Sequence, residues 1–145
     1  MIAVDTNILI HAHRAESPFN QTAVRVVTSL AAGRDPWAIP WPCVHEFAAI
    51  ATNPRLFPVP TPLPAALAQV GAWLESPSLQ LLAEGPGYFS HFTRVAAAGH
   101  VAGGRTHDAR IAAICLYHRV DELLTADRDF GRFPELRVRN PLVEA

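Results

Sequence analysis

The chain has 145 residues, half of them apolar and 17% charged, enough to bury a core and too apolar for a disordered polymer. Its formal charge is −1 and its 12 basic residues are all arginine, so mechanisms built on a P-loop, Schiff-base or general-base lysine are excluded. No apolar run reaches membrane-spanning length, no basic segment opens the chain, and Cys43 and Cys115 are too few for a disulfide framework; a cytoplasmic protein with two buried free thiols is expected.

Residues 1–5 read as a buried strand running straight into Asp5, followed by a helix from Thr6 to about Ala15. Ser17-Pro18 breaks the chain. A second helix runs from about Asn20 to Ala32, with Ala23, Val26, Val27 and Leu30 on one face and Gly33 ending it. Trp37-Ala38-Ile39 is a short strand, and a third helix starts near Pro42 and stops near Asn53-Pro54. Pro54, Pro58, Pro60, Pro62 and Pro64 make a stiff extended loop rather than a linker, since neither flank stands comfortably alone. Beyond it come a helix from about Ala65 to Leu74, a strand over Leu79 to Leu82, a helix from about Gly87 to Ala98, and a helix from Thr106 to His118. A strand over Leu123-Leu124-Thr125 and an edge strand over Leu136-Arg137-Val138 complete the series. Strands alternating with helices predict one α/β domain with a mostly parallel sheet.

Four carboxylates stand where chemistry is expected. Asp5 and Asp127 each follow an apolar strand, and in open parallel sheets ligands bind beyond the carboxyl ends of the strands. Glu46 has Pro42, Cys43, Ala49 and Ile50 as its helical neighbours, so it lies on an apolar face where an unpaired charge is costly. Asp108 opens the Thr106 helix. Each has a structural reading too. Asp5 could cap the helix behind it, the helix dipole favours Asp108, Asp127 or Thr125 could cap a turn before Gly131, and His45 or a distant arginine could satisfy Glu46. Together they make a crowd of like charges that a cation would relieve, and hard oxygen ligands suit Mg²⁺ or Mn²⁺. Neutralising those four leaves the rest of the chain net basic, compatible with a nucleic-acid substrate. Phosphodiester hydrolysis follows naturally from such a metal.

Asp5-Thr6-Asn7 after the first strand, Glu46 on the third helix, His107-Asp108-Ala109 opening a late helix, and Thr125-Ala126-Asp127-Arg128-Asp129-Phe130 after a late strand resemble a PIN-domain ribonuclease. Length and layout are similar to the VapC toxins of bacterial toxin–antitoxin pairs. The resemblance spans essentially all of residues 1–145, read as a single domain. It implies a PIN-like α/β/α sandwich with a central sheet of four to five short strands. It further implies an endoribonuclease whose acidic Mg²⁺ (or Mn²⁺) site is Asp5, Glu46, Asp108 and Asp127. Asn7 and Thr125 would be polar supports and Asp129 a fifth acid. A homodimer and a cognate VapB-like antitoxin that blocks the site are also implied. With no lysine present, phosphate contacts fall to arginine, backbone or metal; Arg105, Arg110 and Arg128 lie nearest the motifs and read first as surface or ion-paired residues.

Two other chemistries fit poorly. An aspartate-nucleophile phosphatase needs a second Asp where this chain has Asn7, and a downstream lysine. None of the seven histidines has another three or four residues away, so a helix-borne zinc pair is not expected; His107, beside Asp108, is the one of interest. The non-enzymatic alternative is a silent PIN-like module that binds RNA or protein.

Overall fold

The apolar segments Ile2–Val4 (β1), Trp37–Pro40 (β2), Leu79–Leu82 (β3), Glu122–Leu124 (β4) and Val138–Arg139 (β5) form one sheet in the order β3-β2-β1-β4-β5. Every neighbouring pair is parallel. The computed structural model describes residues 1–143. Central strands of such a sheet are covered on both faces, which is why Ala3, Val4 and all of β2 are buried.

Six helices link the strands: Thr6–His13 (α1) and Asn20–Ala32 (α2) before β2, Trp41–Ala51 (α3) and Leu63–Leu74 (α4) before β3, and Tyr88–Ala98 (α5) and Arg105–Tyr117 (α6) before β4. α1 packs on both α2 and α3, and α3 on α4, while α5 packs chiefly on α6. The first two crossovers step outward from β1 and the third returns past it. Right-handed connections running in opposite directions place the two helix groups on opposite faces, giving the α/β/α sandwich. Trp37, Phe47, Ile111, Ile114 and Leu123 fill the layers between.

Several boundaries differ from the sequence reading, each for a local reason. α1 stops at His13 because Arg14 turns extended, its guanidinium 4.0 Å from the Phe57 ring centre and donating to the Val59 carbonyl. The His13 imidazole bonds Thr61 at 2.9 Å, so the proline loop is clamped onto the end of α1. α4 begins two residues early because Pro64 sits in its first turn, where its missing N–H is no loss. The edge strand lies at Val138–Arg139 because the Leu136 amide closes a turn onto Phe133. A 3₁₀ turn, Arg128–Arg132, follows β4, the short turn that the capping reading of Asp127 requires. No helix among the described residues is long and apolar enough to cross a membrane.

Candidate active site

Between β1 and β4 the strand order reverses: the chain leaves β1 toward β2 and later returns to pair β4 on β1's other side. The crevice at such a switch point is where open α/β sheets place ligands. Asp5 stands at its centre, 4% exposed, its amide still paired to the Leu124 carbonyl at 2.9 Å. Its carboxylate is held from all sides. The Thr6 amide donates to Oδ1 at 2.8 Å, capping α1, and the Cys43 thiol reaches the same oxygen at 3.5 Å. The Thr125 hydroxyl donates to Oδ2 at 2.7 Å and the Asn7 amide nitrogen at 3.1 Å.

Asn7 and Thr125 lock the two strand ends together. Asn7 Nδ2 also reaches Thr125 Oγ1 at 3.2 Å, and Asn7 Oδ1 accepts the Ala126 amide at 2.9 Å. Thr125 Oγ1 in turn accepts the Asp127 amide at 3.0 Å. The Asp127 carboxylate takes the Asp129 amide at 2.9 Å and caps the 3₁₀ turn. The capping reading of both Asp5 and Asp127 is therefore real, and it leaves further oxygen lone pairs on each carboxylate.

Glu46 is joined to Asp5 through Thr6, whose hydroxyl donates to Glu46 Oε2 at 3.4 Å while its amide serves Asp5. Asp108 comes from the first turn of α6. Arg105 lies 3.5 Å from Asp108 and is paired with Asp129, so it bridges the two acids. Pro42, His45 and Glu46 from α3 face Gly104, His107, Asp108 and Arg110 across a cleft of about 420 Å³. A larger concavity of about 750 Å³ lies at the opposite end of the sheet, around Met1, Asp35 and Asp121, away from all four acids.

The electrostatics tie the acids together. Burial pushes the Asp5 carboxyl above its ordinary range, and the Asp108 charge adds to this against the hydrogen bonds that favour ionisation. Glu46 is raised by burial and then by Asp5 and Asp108, with His107 opposing. Asp108 is raised by burial and then by Asp127, with Arg105 and Arg132 opposing. Among the described residues, no three His, Cys, Asp or Glu side chains are disposed as a ready-made metal cage. An all-oxygen donor set whose burial, with mutual repulsion behind it, opposes ionisation nevertheless fits a hard divalent cation that keeps part of its water shell and needs few direct ligands.

The sequence reading missed Thr6 and Cys43, both of which contact the acid network directly. Their signal was present but weak: each sits beside or one turn from a predicted acid. Arg105 and Arg110 are ion-paired, as expected, with Asp108 and Asp129 and with Glu84 respectively. Cys43 and Cys115 are buried and free.

To this small parallel α/β sheet with carboxylates about its switch point, the PIN-domain family model matches over residues 2–136; the chain belongs to the PIN-domain family. Its relatives include VapC ribonucleases. Ribonuclease VapC43 of Mycobacterium tuberculosis is 33% identical over 142 residues, covering 98% of this chain and 96% of that protein. Among solved structures, VapBC2 from Rickettsia felis bound to a DNA fragment from its promoter matches with a TM-score of 0.70 at 16% identity, covering 97% of this chain and 98% of that one. A toxin–antitoxin complex from Klebsiella pneumoniae matches at 0.66 and 20% identity, covering 97% and 98%.

Proposed function

We propose that this protein is the metal-dependent endoribonuclease toxin of a type II toxin–antitoxin pair, cutting RNA phosphodiester bonds at Asp5, Glu46, Asp108 and Asp127. The observation that carries the reading is geometric: Glu46 and Asp108 line one cleft beside the switch point, and Thr6 joins Glu46 to the buried Asp5. The VapC ribonuclease relatives give the activity its class.

Each residue has a definable task. Asp5, clamped by four donors, is the fixed reference carboxylate. Glu46 and Asp108 line the open cleft, where a phosphate can approach. Asp127 caps the turn after β4 and adds its charge to the surroundings of Asp108, and Asn7 and Thr125 hold the two strand ends in register. Asp129 holds Arg105, which keeps a cation within reach of Asp108 and of an incoming phosphate. Mg²⁺ or Mn²⁺ held by these carboxylates would neutralise the scissile phosphate and acidify the attacking water. Toxin–antitoxin complexes among the structural neighbours support a VapB-like antitoxin as the inhibitor; a homodimer is part of the same proposal.

The test is cleavage of total cellular RNA by the purified, antitoxin-free protein with Mg²⁺, Mn²⁺ or EDTA, beside Asp108→Asn. Discrete cuts that need metal and fall at least about 100-fold in the variant are expected. No cleavage by folded protein would leave a binding module, and equal cleavage by the variant would remove Asp108 from the site.

A further inference from the structure

We propose that His45 and His107 hold the RNA backbone from the two walls of the acidic cleft, each donating an imidazole N–H to a phosphate next to the scissile one. The proposal rests on the nuclease reading and adds to it how an acidic site keeps hold of a polyanion.

Of the residues lining the cleft between α3 and α6, only His45, His107 and Arg110 carry side-chain donors. Arg110 is paired with Glu84, and the nearby Arg105 with Asp108 and Asp129. α3 brings no arginine to its wall, and the chain has no lysine. The two imidazoles are different. Both are exposed, and among the described residues neither makes a hydrogen bond or an ion pair. The imidazoles of His11, His13 and His118, in contrast, are all bonded within the fold.

Their placement follows from the helices. His45 directly precedes Glu46 on α3, and His107 directly precedes Asp108 on α6. Successive helical residues point about 100° apart, so each imidazole stands beside its acid rather than over it. A strand whose scissile phosphate sits at Glu46 and Asp108 therefore leaves the cleft past one imidazole on each wall. The Trp41 ring runs nearly parallel to that of His45, with centres 6.0 Å apart and planes 23° apart, which flanks one face of the imidazole and leaves its nitrogen-bearing edge to the cleft.

Imidazole suits the place for a physical reason. A guanidinium beside the acids is drawn to them, as Arg105 is, and competes with a metal for their charge. An imidazole offers an N–H with or without its second proton, so it can bind a phosphate oxygen without a permanent positive charge. Contacts to the backbone fix register and affinity and leave the choice of base to other parts of the surface.

The experiment is steady-state cleavage of a short single-stranded oligoribonucleotide with Mg²⁺ by wild type, His45→Ala, His107→Ala and the two His→Gln variants, which keep an N–H donor. It is repeated with one 2′-deoxy methylphosphonate linkage placed in turn on each side of the cut, beside the same 2′-deoxy linkage as a phosphate. Each alanine variant is expected to raise KM about 5- to 50-fold with kcat little changed, and glutamine to recover part of the loss. A methylphosphonate next to the cut should raise the wild-type KM by a similar factor and add nothing in the alanine variant whose imidazole it met. Unchanged KM in both alanine variants, with active wild type, overturns the proposal and leaves the nuclease reading standing. Losses that simply add to those of the methylphosphonates overturn it as well. So does a rise in the Mg²⁺ concentration needed for half-maximal rate at saturating RNA, which would make the imidazoles metal ligands. A wild type that cuts nothing removes both readings.

Discussion

Thr125 carries more of the site than its size suggests. One hydroxyl donates to Asp5, accepts the Asp127 amide and accepts from Asn7, all with the residue 3% exposed. Thr125→Val keeps the shape and deletes the oxygen, leaving buried partners unsatisfied. Destabilisation of about 1–3 kcal/mol is expected in urea unfolding, with Thr125→Ser restoring most of it. A loss below ~0.5 kcal/mol would mean that Asp5 is held by its other donors alone. At this scale the strand-end acids were legible because a charge directly after an apolar strand has few routine explanations. Glu46 was legible from the apolar residues around it. The partners were not: Thr6 links Asp5 to Glu46 through one amide and one hydroxyl, and nothing in a Thr next to an Asp announces two simultaneous roles.

Helix ends show the same division. Gly99 was readable as the stop of the helix that starts near Gly87, and its amide does close α5 onto Val95 at 3.0 Å. Its tighter constraint comes from a ring far along the chain. A Cβ on Gly99 would lie 2.5 Å from Phe133 Cε1 and 2.8 Å from Cδ1, and Phe133 is buried against Phe130. Gly99→Ala should therefore cost about 1–3 kcal/mol through overpacking, whereas the change at an unencumbered helix end would be small. Adding Phe133→Leu should recover part of that loss if the clash is the cause; additive losses would point elsewhere. Tertiary packing of this kind is invisible to periodicity, as is the clamp of Arg14 on the proline loop that shortened α1. Element type survived these effects because every strand and helix is marked by its own apolar pattern; boundaries moved where a distant residue competed for the last turn.

For the molecule as a whole, the raised carboxyls set a pH dependence. Asp5, Glu46 and Asp108 bind protons more readily in the folded state than in the unfolded chain. Without metal, the fold gains stability as pH falls from neutral toward the ordinary carboxylate range, and loses that contribution as pH rises through the raised values. A divalent cation competes for the same oxygens, so Mg²⁺ or Mn²⁺ should raise Tm most at neutral pH and progressively less in mild acid. Thermal unfolding with metal or EDTA across that range is the measurement. A metal gain that does not shrink on acidification would place the ion elsewhere. Light scattering on the antitoxin-free protein should show a dimer at micromolar concentration; a monomer would count against the proposed working unit.

The central position of β1 also has a consequence during synthesis. β1 is made well before its partner β4 and before the Thr125 hydroxyl that holds Asp5. Until then the first strand has one neighbour at most, and its carboxylate lacks the shortest of its four hydrogen bonds, the one from Thr125. Chain order therefore delays the proposed site: it is complete only once residues 122–127 are made, and a copy ending before β4 lacks both Thr125 and Asp127.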